Sequence, residues 1–376
     1  MKPEQQTTRP RATLPQSMRA VLMTGHGGFD KLAYRDDVPV PQALAGEVLI
    51  RVGAAGVNNT DINTRTAWYS KSVQEGTTVS GGSTGYAGAQ SADAGWTGAV
   101  PHFPRIQGAD ACGRIVAVGP GVDPARIGER VLIEPVFRPQ GVAASAYQAI
   151  YFGSECDGAF ADYAKAPAVH AHRIESDLTD AELASFPCAY AAAENMLTKA
   201  MLAAGETVLV TGASGGVGSA AVQLAKRRGA QVIAAAGPDK AAEIAGLGAA
   251  RVIARDADLP QLLGRETVDV VIDVVGGSQF PHLLEILKRG GRYAVAGAIA
   301  GPVVDLDLRT LYLKDLRLLG CTVLEPGVFA NLVGYIARGE IRPLVARQYA
   351  LKDIVAAQEE FLRKRHVGKI VLLPEA

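Results

Sequence analysis

The sequence predicts an α/β protein of two regions, a β-rich region followed by a doubly wound parallel sheet. Three observations carry that expectation. Residues 206–240 read as strand, glycine turn, helix and strand in immediate succession. After them, apolar segments at 251–254, 268–275, 292–297 and 316–323 alternate with helical patterns, which implies parallel strands joined by right-handed crossovers. Before them, short strand-like runs at 18–23, 47–52, 103–122, 129–135 and 158–167 are punctuated by glycine turns.

The central stretch justifies itself element by element. Residues 207–211 form an apolar, β-branched run of buried-strand type. Gly212, Gly215, Gly216 and Gly218 follow. Val217, Ala220, Ala221, Leu224 and Ala225 then keep the spacing of one buried helical face. Lys226, Arg227 and Arg228 suit the negative end of that helix, and Gly229 stops it. Glycines between a strand and a helix let backbone approach a pyrophosphate, and the helix start aims free N–H groups at it. Ala213 holds the first place of the G-x-G-x-x-G pattern, with Gly215 and Gly218 in the others. The candidate dinucleotide contacts are Ser214, Gly215, Gly216, Val217 and Gly218, with Ala236, Lys240, Val275 and Gly297 beyond them.

Length and composition set bounds. A chain of 376 residues is long enough for two domains, and 48% apolar residues supply a core for each. The formal net charge is zero and no long charged run occurs, which argues against nucleic acid or an anionic membrane as partner. No apolar run approaches the roughly 20 residues of a spanning helix. Residues 1–17 are polar and proline-containing, expected as a disordered extension and not a secretory leader. Cys112, Cys156, Cys188 and Cys321 lie far apart with no C-x-x-C pair, as in a reduced, cytoplasmic protein.

In chain order, residues 56–70 read as a loop leading into a short helix, framed by Trp68 and Tyr69. Residues 71–100 are small, polar and glycine-rich, too poor in apolar residues for a core element. They are expected as a flexible insert, either a lid or disordered. His26 stands in a turn-rich loop and takes no role. His170 and His172 are placed on one face of a strand, where two ligands without a third make no zinc site. Helical patterns start at 179 and again at 328, and the tail reads strand, helix, strand.

These strings in this order resemble the medium-chain dehydrogenase/reductase superfamily. They include GVNNTD at 56–61, FPRIQGADACGRIVAVG at 103–119, VLVTGASGGVGSAAVQLAK at 208–226, VDVVIDVVGG at 268–277, LKRGGRYAVAG at 287–297 and GKIVLLP at 368–374. The resemblance implies a GroES-like β domain from 18–167 and 336–376, a Rossmann domain over 168–335, and an active site between them. Zinc members carry ligands where this chain has Asn58, Ala109 and Cys188, and the cysteines of their structural zinc lobe are absent. The chain is closer to the zinc-free quinone and alkene reductases, whose pattern Gly56, Val57, Asn58, Asp61, Arg65 and Tyr69 meet. It departs from them at Ala192 and Ala193, where they usually carry threonine and alanine.

That likeness implies hydride transfer to a carbonyl-conjugated alkene or a quinone without a metal. Tyr69 is the candidate proton donor, Asn58 orients substrate or nicotinamide, and Asp61 holds their loop. The second strand ends in Ala235, Ala236 and Gly237 with no carboxylate to favour NAD, and Lys240 stands where NADPH-using relatives hold the extra phosphate, so NADP(H) is expected. A homodimer through the late strand segment 303–323, with Leu318 near the contact, is implied as well. Two alternatives stay open: an alcohol dehydrogenase with a remodelled or zinc-containing site, and an NADPH-binding protein without turnover.

Overall fold

A computed structural model describes residues 14–98, 100–139 and 141–374. Most of the expected N-terminal extension lies outside these, and Ser17 already opens the first strand. The β-rich region contains β1 (Ser17–Met23), β2 (Leu32–Pro39), β3 (Glu47–Gly56), α1 (Asn59–Arg65), α2 (Val79–Thr84), β4 (Arg105–Ile106) and β5 (Cys112–Val118). β6 (Arg130–Ile133), β7 (Val136–Phe137), β8 (Ile150–Tyr151), β9 (Tyr163–Pro167) and β10 (Ala171–Arg173) complete it. Two helices follow, α3 (Asp180–Leu183) and α4 (Pro187–Lys199).

The alternating region runs β11 (Thr207–Val210), α5 (Gly216–Arg227), β12 (Gln231–Ala236), α6 (Ala241–Gly246), β13 (Arg251–Ala254), α7 (Leu259–Leu263) and β14 (Val268–Asp273). It continues through α8 (Phe280–Ile286), β15 (Leu287–Val295), α9 (Leu308–Leu313), β16 (Arg317–Gly320) and α10 (Val328–Ala337). The tail is β17 (Val345–Ala350), α11 (Ile354–Leu362) and β18 (Lys369–Leu373).

The six strands of the second region form one sheet in the order β13-β12-β11-β14-β15-β16. Every pairing in it is parallel, with Val208 beside Val232 on one side and Val270 on the other. Val208, Val210, Ala220, Leu224 and Val270 are fully buried, as a sheet covered on both faces requires. Strand order reverses between β11 and β14, so a crevice opens beyond their carboxyl ends. In the first region the main sheet runs β10-β6-β5-β3-β18-β17, with β9 also on β3. The tail thus returns to the first region, Val371 pairing with Gly56.

Three expectations need correcting. His170 lies in a 3-10 turn and only His172 is on a strand, β10; both rings meet Glu134 Oε2, at 2.9 and 3.1 Å. β10 pairs with β6, so the first region's sheet reaches past residue 167 to Arg173. Residues 71–100 do contribute to packing. They form α2 and bury Val73, Tyr86 and Ala94, Tyr86 donating to the Gly76 carbonyl at 3.2 Å. A few large side chains among many small ones suffice there, because Trp68 offers them a surface. Residues 71–100 also reach the second region, where the Thr77 N–H donates to the Ile299 carbonyl at 2.9 Å.

Candidate active site

The sheet's carboxyl edge gathers the expected dinucleotide contacts. Gly212 has φ of 56°, the left-handed turn that drops the chain from β11 toward α5. Gly218 lets α5 pack on that turn, since a Cβ there would stand 2.2 Å from the Gly212 carbonyl oxygen. Gly215 caps α5 in extended conformation, and Gly216 opens it. A Cβ on Gly215 would meet nothing closer than 3.4 Å, so the helix start is open on that side. This glycine cradle, with free N–H groups at the head of a 12-residue helix, fits a dinucleotide pyrophosphate. Ser214 lies in the turn after β11, Val217 in the first turn of α5, and the buried Ala236 at the end of β12.

Asp273, fully buried at the end of β14, fixes the neighbouring turn. Its carboxylate accepts from Thr211 Oγ1 at 2.5 Å, Tyr293 Oη at 2.5 Å and the Val275 N–H at 2.8 Å. Val275 in turn accepts from the Ala300 N–H, and Gly297 lies against Val274. One carboxylate therefore ties the turns after β11 and β14 together. Sequence reasoning missed it, although Asp273 closes an apolar strand, where a carboxylate needs such partners.

The facing wall is built from side chains bound to one another. Asn58 precedes α1, and Asp61, three residues on, accepts its N–H at 2.7 Å. Asp61 also accepts the Gly108 N–H at 3.2 Å, joining α1 to the stretch before β5. Burial pushes the Asp61 carboxyl up to about 7, against the pull of those two N–H groups and Lys369. Asn58 is 8% exposed and engaged at both ends of its amide. Its Nδ2 donates to Asp110 Oδ2 at 2.8 Å and its Oδ1 accepts from Lys369 Nζ at 2.5 Å. Lys369 Nζ also pairs with Asp110 Oδ2 at 2.6 Å, while Asp110 Oδ1 accepts the Cys188 N–H. Asn58 and Asp61 are thus hydrogen-bonded within the wall, Asn58 through both ends of its amide and Asp61 through both carboxylate oxygens.

Tyr69 is different. It is half-buried, and its hydroxyl donates to Thr60 Oγ1 at 3.3 Å. Burial pushes its pKa up to about 12, so it keeps its proton at neutral pH. Its ring lies parallel to Trp96, with centroids 6.3 Å apart, and Trp96 stacks on Tyr151 at 4.2 Å. Trp96 and Tyr151 were not foreseen; Trp96 comes from the stretch dismissed on composition. The lysine in the GKIVLLP string also went unassigned, because nothing local connects Lys369 with Asn58, 311 positions away.

At the positions where zinc members carry ligands, this chain has an amide, a methyl group and a thiol, and the Lys369 ammonium is held by the Asn58 amide and the Asp110 carboxylate. Burial, then the Asp110 charge, push the Cys188 thiol upward. Among the described residues no three His, Cys, Asp or Glu side chains converge as a metal site.

A glycine-turn parallel sheet facing a β-rich wall across a crevice is the build of a dinucleotide-dependent oxidoreductase. Comparison with known proteins agrees. Residues 44–176 match the alcohol dehydrogenase GroES-like domain and residues 216–338 the zinc-binding dehydrogenase family. The chain is 30% identical to acryloyl-coenzyme A reductase of Metallosphaera sedula over 94% of its own length and 99% of that protein's. It is 27% identical to quinone oxidoreductase of Lama guanicoe, over 96% and 99%. A solved structure from Sinorhizobium meliloti 1021, provisionally called an alcohol dehydrogenase, superposes with a TM-score of 0.84 at 49% identity, covering 96% of this chain and 97% of that one. The chain belongs to the medium-chain dehydrogenase/reductase superfamily, in its quinone- and alkene-reductase-like branch. It is an oxidoreductase of the kind that works with a nicotinamide cofactor.

Proposed function

We propose that this chain is a zinc-independent, NADPH-dependent reductase of quinones or of alkenes conjugated to a carbonyl. The observation that supports the reading is the buried Lys369–Asn58–Asp110 chain, which engages Asn58, at a position where zinc members carry a ligand, with an ammonium group and a carboxylate. When bound, the nicotinamide supplies hydride to the electron-poor carbon. The protein's part is to stabilise the negative charge that collects on the acceptor's oxygen and to provide a proton. Tyr69 holds an un-ionised hydroxyl at the cleft and is the donor in this reading. Asn58 and Asp61 fix α1, on which that hydroxyl's partner Thr60 stands. Trp96 and Tyr151 wall the same space with apolar faces and exclude water. The relatives named acryloyl-coenzyme A reductase and quinone oxidoreductase are consistent with either acceptor.

NADPH is preferred in this reading because β12 ends in Ala235 and Ala236 without a carboxylate, and Lys240 follows in the next turn. A homodimer through residues 303–323 belongs to it too. β16 is the sheet's edge strand, and Val303, Leu308, Tyr312, Leu313 and Leu318 are exposed around it, whereas Leu316 is buried. Cytoplasmic work on a small molecule, without nucleic acid or membrane as partner, completes the proposal. The domain division at 18–167 with 336–376, against 168–335, is carried forward on the same footing, shifted at its first boundary by β10.

The deciding experiment measures NADPH consumption against quinones, enones, enoyl thioesters, aldehydes and alcohols, with and without chelator, alongside elemental analysis. Turnover of conjugated acceptors by metal-free protein is expected. Chelator-sensitive oxidation of alcohols with one bound zinc per chain would favour the alcohol dehydrogenase reading, which the Sinorhizobium structure keeps in view.

A further inference from the structure

One face of the β-rich sheet carries arginine on three neighbouring strands. Register places Arg51 of β3 opposite Arg114 of β5, and Arg114 opposite Arg130 of β6. Residues directly opposite share a face, and like charges there repel. Arg130 is offset by Asp180: its Nε donates to Oδ1 at 2.7 Å, while its Nη1 donates to the Ser176 carbonyl at 3.1 Å. Arg114 is exposed, and among the described residues it pairs with no carboxylate. Its side chain donates once, from Nη1 to the Gly128 carbonyl at 3.4 Å. A guanidinium has five donors, so most of this one's are uncommitted. Arg114 and Arg130 border a cavity of about 450 Å³ together with Arg173, Glu129, Glu175 and Ser176. Both glutamates are already engaged, Glu129 with Arg126 at 2.8 Å and Glu175 with Arg173. Four arginines therefore meet three carboxylates around this space, and one positive charge is left over. None of these residues belongs to the cleft wall or the glycine turn.

We propose that this cavity is an accessory binding site, outside the cleft, for a small organic phosphate. Planar guanidinium groups hold phosphate oxygens in pairs. A phosphate monoester carries close to two negative charges, which offset the surplus on Arg114 and the repulsion along the arginine row. A cavity of this size falls in the range that takes a small organic molecule, so it has room for more than inorganic phosphate. Ser176 and Ile174 offer the rest of such a ligand a hydroxyl and an apolar edge. Arg173 and its partner Glu175 are 62% and 78% exposed, so their pair is weak and leaves Arg173 able to turn to a ligand. The site stands apart from the reading of the cleft, whichever dinucleotide and acceptor the chain uses.

The test uses calorimetry on the full chain saturated with NADPH, or with NADH if that is the dinucleotide it binds, so that added phosphate cannot report on the glycine turn. Ribose 5-phosphate, ribose, inorganic phosphate and citrate are the probes, for wild type, Arg114→Gln and Arg173→Gln. Arg35→Gln, at an exposed arginine of β2 paired with Asp37, is the charge control. Arg130 is left in place because it holds Asp180. Wild type should bind ribose 5-phosphate more tightly than inorganic phosphate, and ribose hardly at all. Arg114→Gln should weaken ribose 5-phosphate about tenfold and Arg173→Gln about threefold, with Arg35→Gln unchanged. A wild type that binds neither phosphate probe would overturn the site, as would equal losses in Arg114→Gln and Arg35→Gln, which report net charge alone. Inorganic phosphate bound as tightly as ribose 5-phosphate would overturn the organic ligand. Tighter binding of citrate, lost in Arg114→Gln, would overturn phosphate in favour of a polycarboxylate. Thermal melting of each variant separates these results from misfolding.

Discussion

The two walls of the cleft are built on opposite plans. On the sheet side the chain presents backbone: a left-handed glycine, a helix start, and two turns tied by one buried carboxylate. On the β-rich side it presents side chains held by other side chains, from α1, from the stretch before β5, from α4 and from β18. The first wall comes largely from a single stretch of about 35 residues, and the second needs partners some 300 positions apart. A backbone site tolerates side-chain change and fails where space is filled. A side-chain site fails when one partner is taken from another.

The largest effect should come from the second wall. Lys369→Met leaves Asp110, which is fully buried, without its cation and should lower stability by about 3–5 kcal/mol in denaturant titration. Adding Asp110→Asn should recover much of that loss. If the single variant is as stable as wild type, the wall is not held together by this pair.

Next comes chemistry at the cleft. Tyr69→Phe keeps the ring against Trp96 and removes only the hydroxyl. It should lower kcat about 100-fold with little change in KM for a conjugated acceptor. A change confined to KM would make Tyr69 a packing residue.

A smaller effect tests the backbone wall. Gly218→Ala forces a Cβ onto the Gly212 carbonyl and should weaken dinucleotide binding about tenfold by calorimetry, whereas Gly246→Ala, with nothing within 4 Å, should leave it unchanged. Equal behaviour of the two variants would mean that the turn does not shape the site.

This difference between the walls also explains what the sequence disclosed. The parallel sheet was legible because strands such as β11, β12 and β14 are largely apolar runs between helical patterns, and the turn because its glycines are clustered. Cofactor candidates such as Gly215, Val275 and Gly297 follow from strand ends alone. Asn58, Asp61 and Tyr69 were found through resemblance, but their relations were not. Asn58 was expected to face substrate or nicotinamide, and the structure turns its amide to Asp110 and Lys369. Trp96 was hidden for another reason: one large ring in a polar stretch changes composition little, yet it lies parallel to Tyr69 and stacks on Tyr151.

The smallest expected effect is a pH slope. Asp61 has a folded pKa of about 7, above the usual carboxylate value near 3.9, so the folded chain keeps a proton that the unfolded chain releases. Its contribution to stability is fully present below about pH 4 and is lost as pH rises toward about 7. Melting temperatures of wild type should therefore fall more steeply over that window than those of Asp61→Asn. Parallel curves would show that Asp61 is ionised throughout and is held by its two N–H donors.

The aromatic wall has an optical consequence. The chain has two tryptophans, Trp68 and Trp96, and both belong to the cleft. Trp68 packs in the cluster that includes Ala298 from the opposite region, and Trp96 lies between Tyr69 and Tyr151. Indole emission from this protein therefore carries no background from elsewhere in the chain. Its intensity and wavelength report on one crevice, and replacing either indole by phenylalanine leaves a single-emitter probe that divides the signal between the inner wall and the 71–100 stretch.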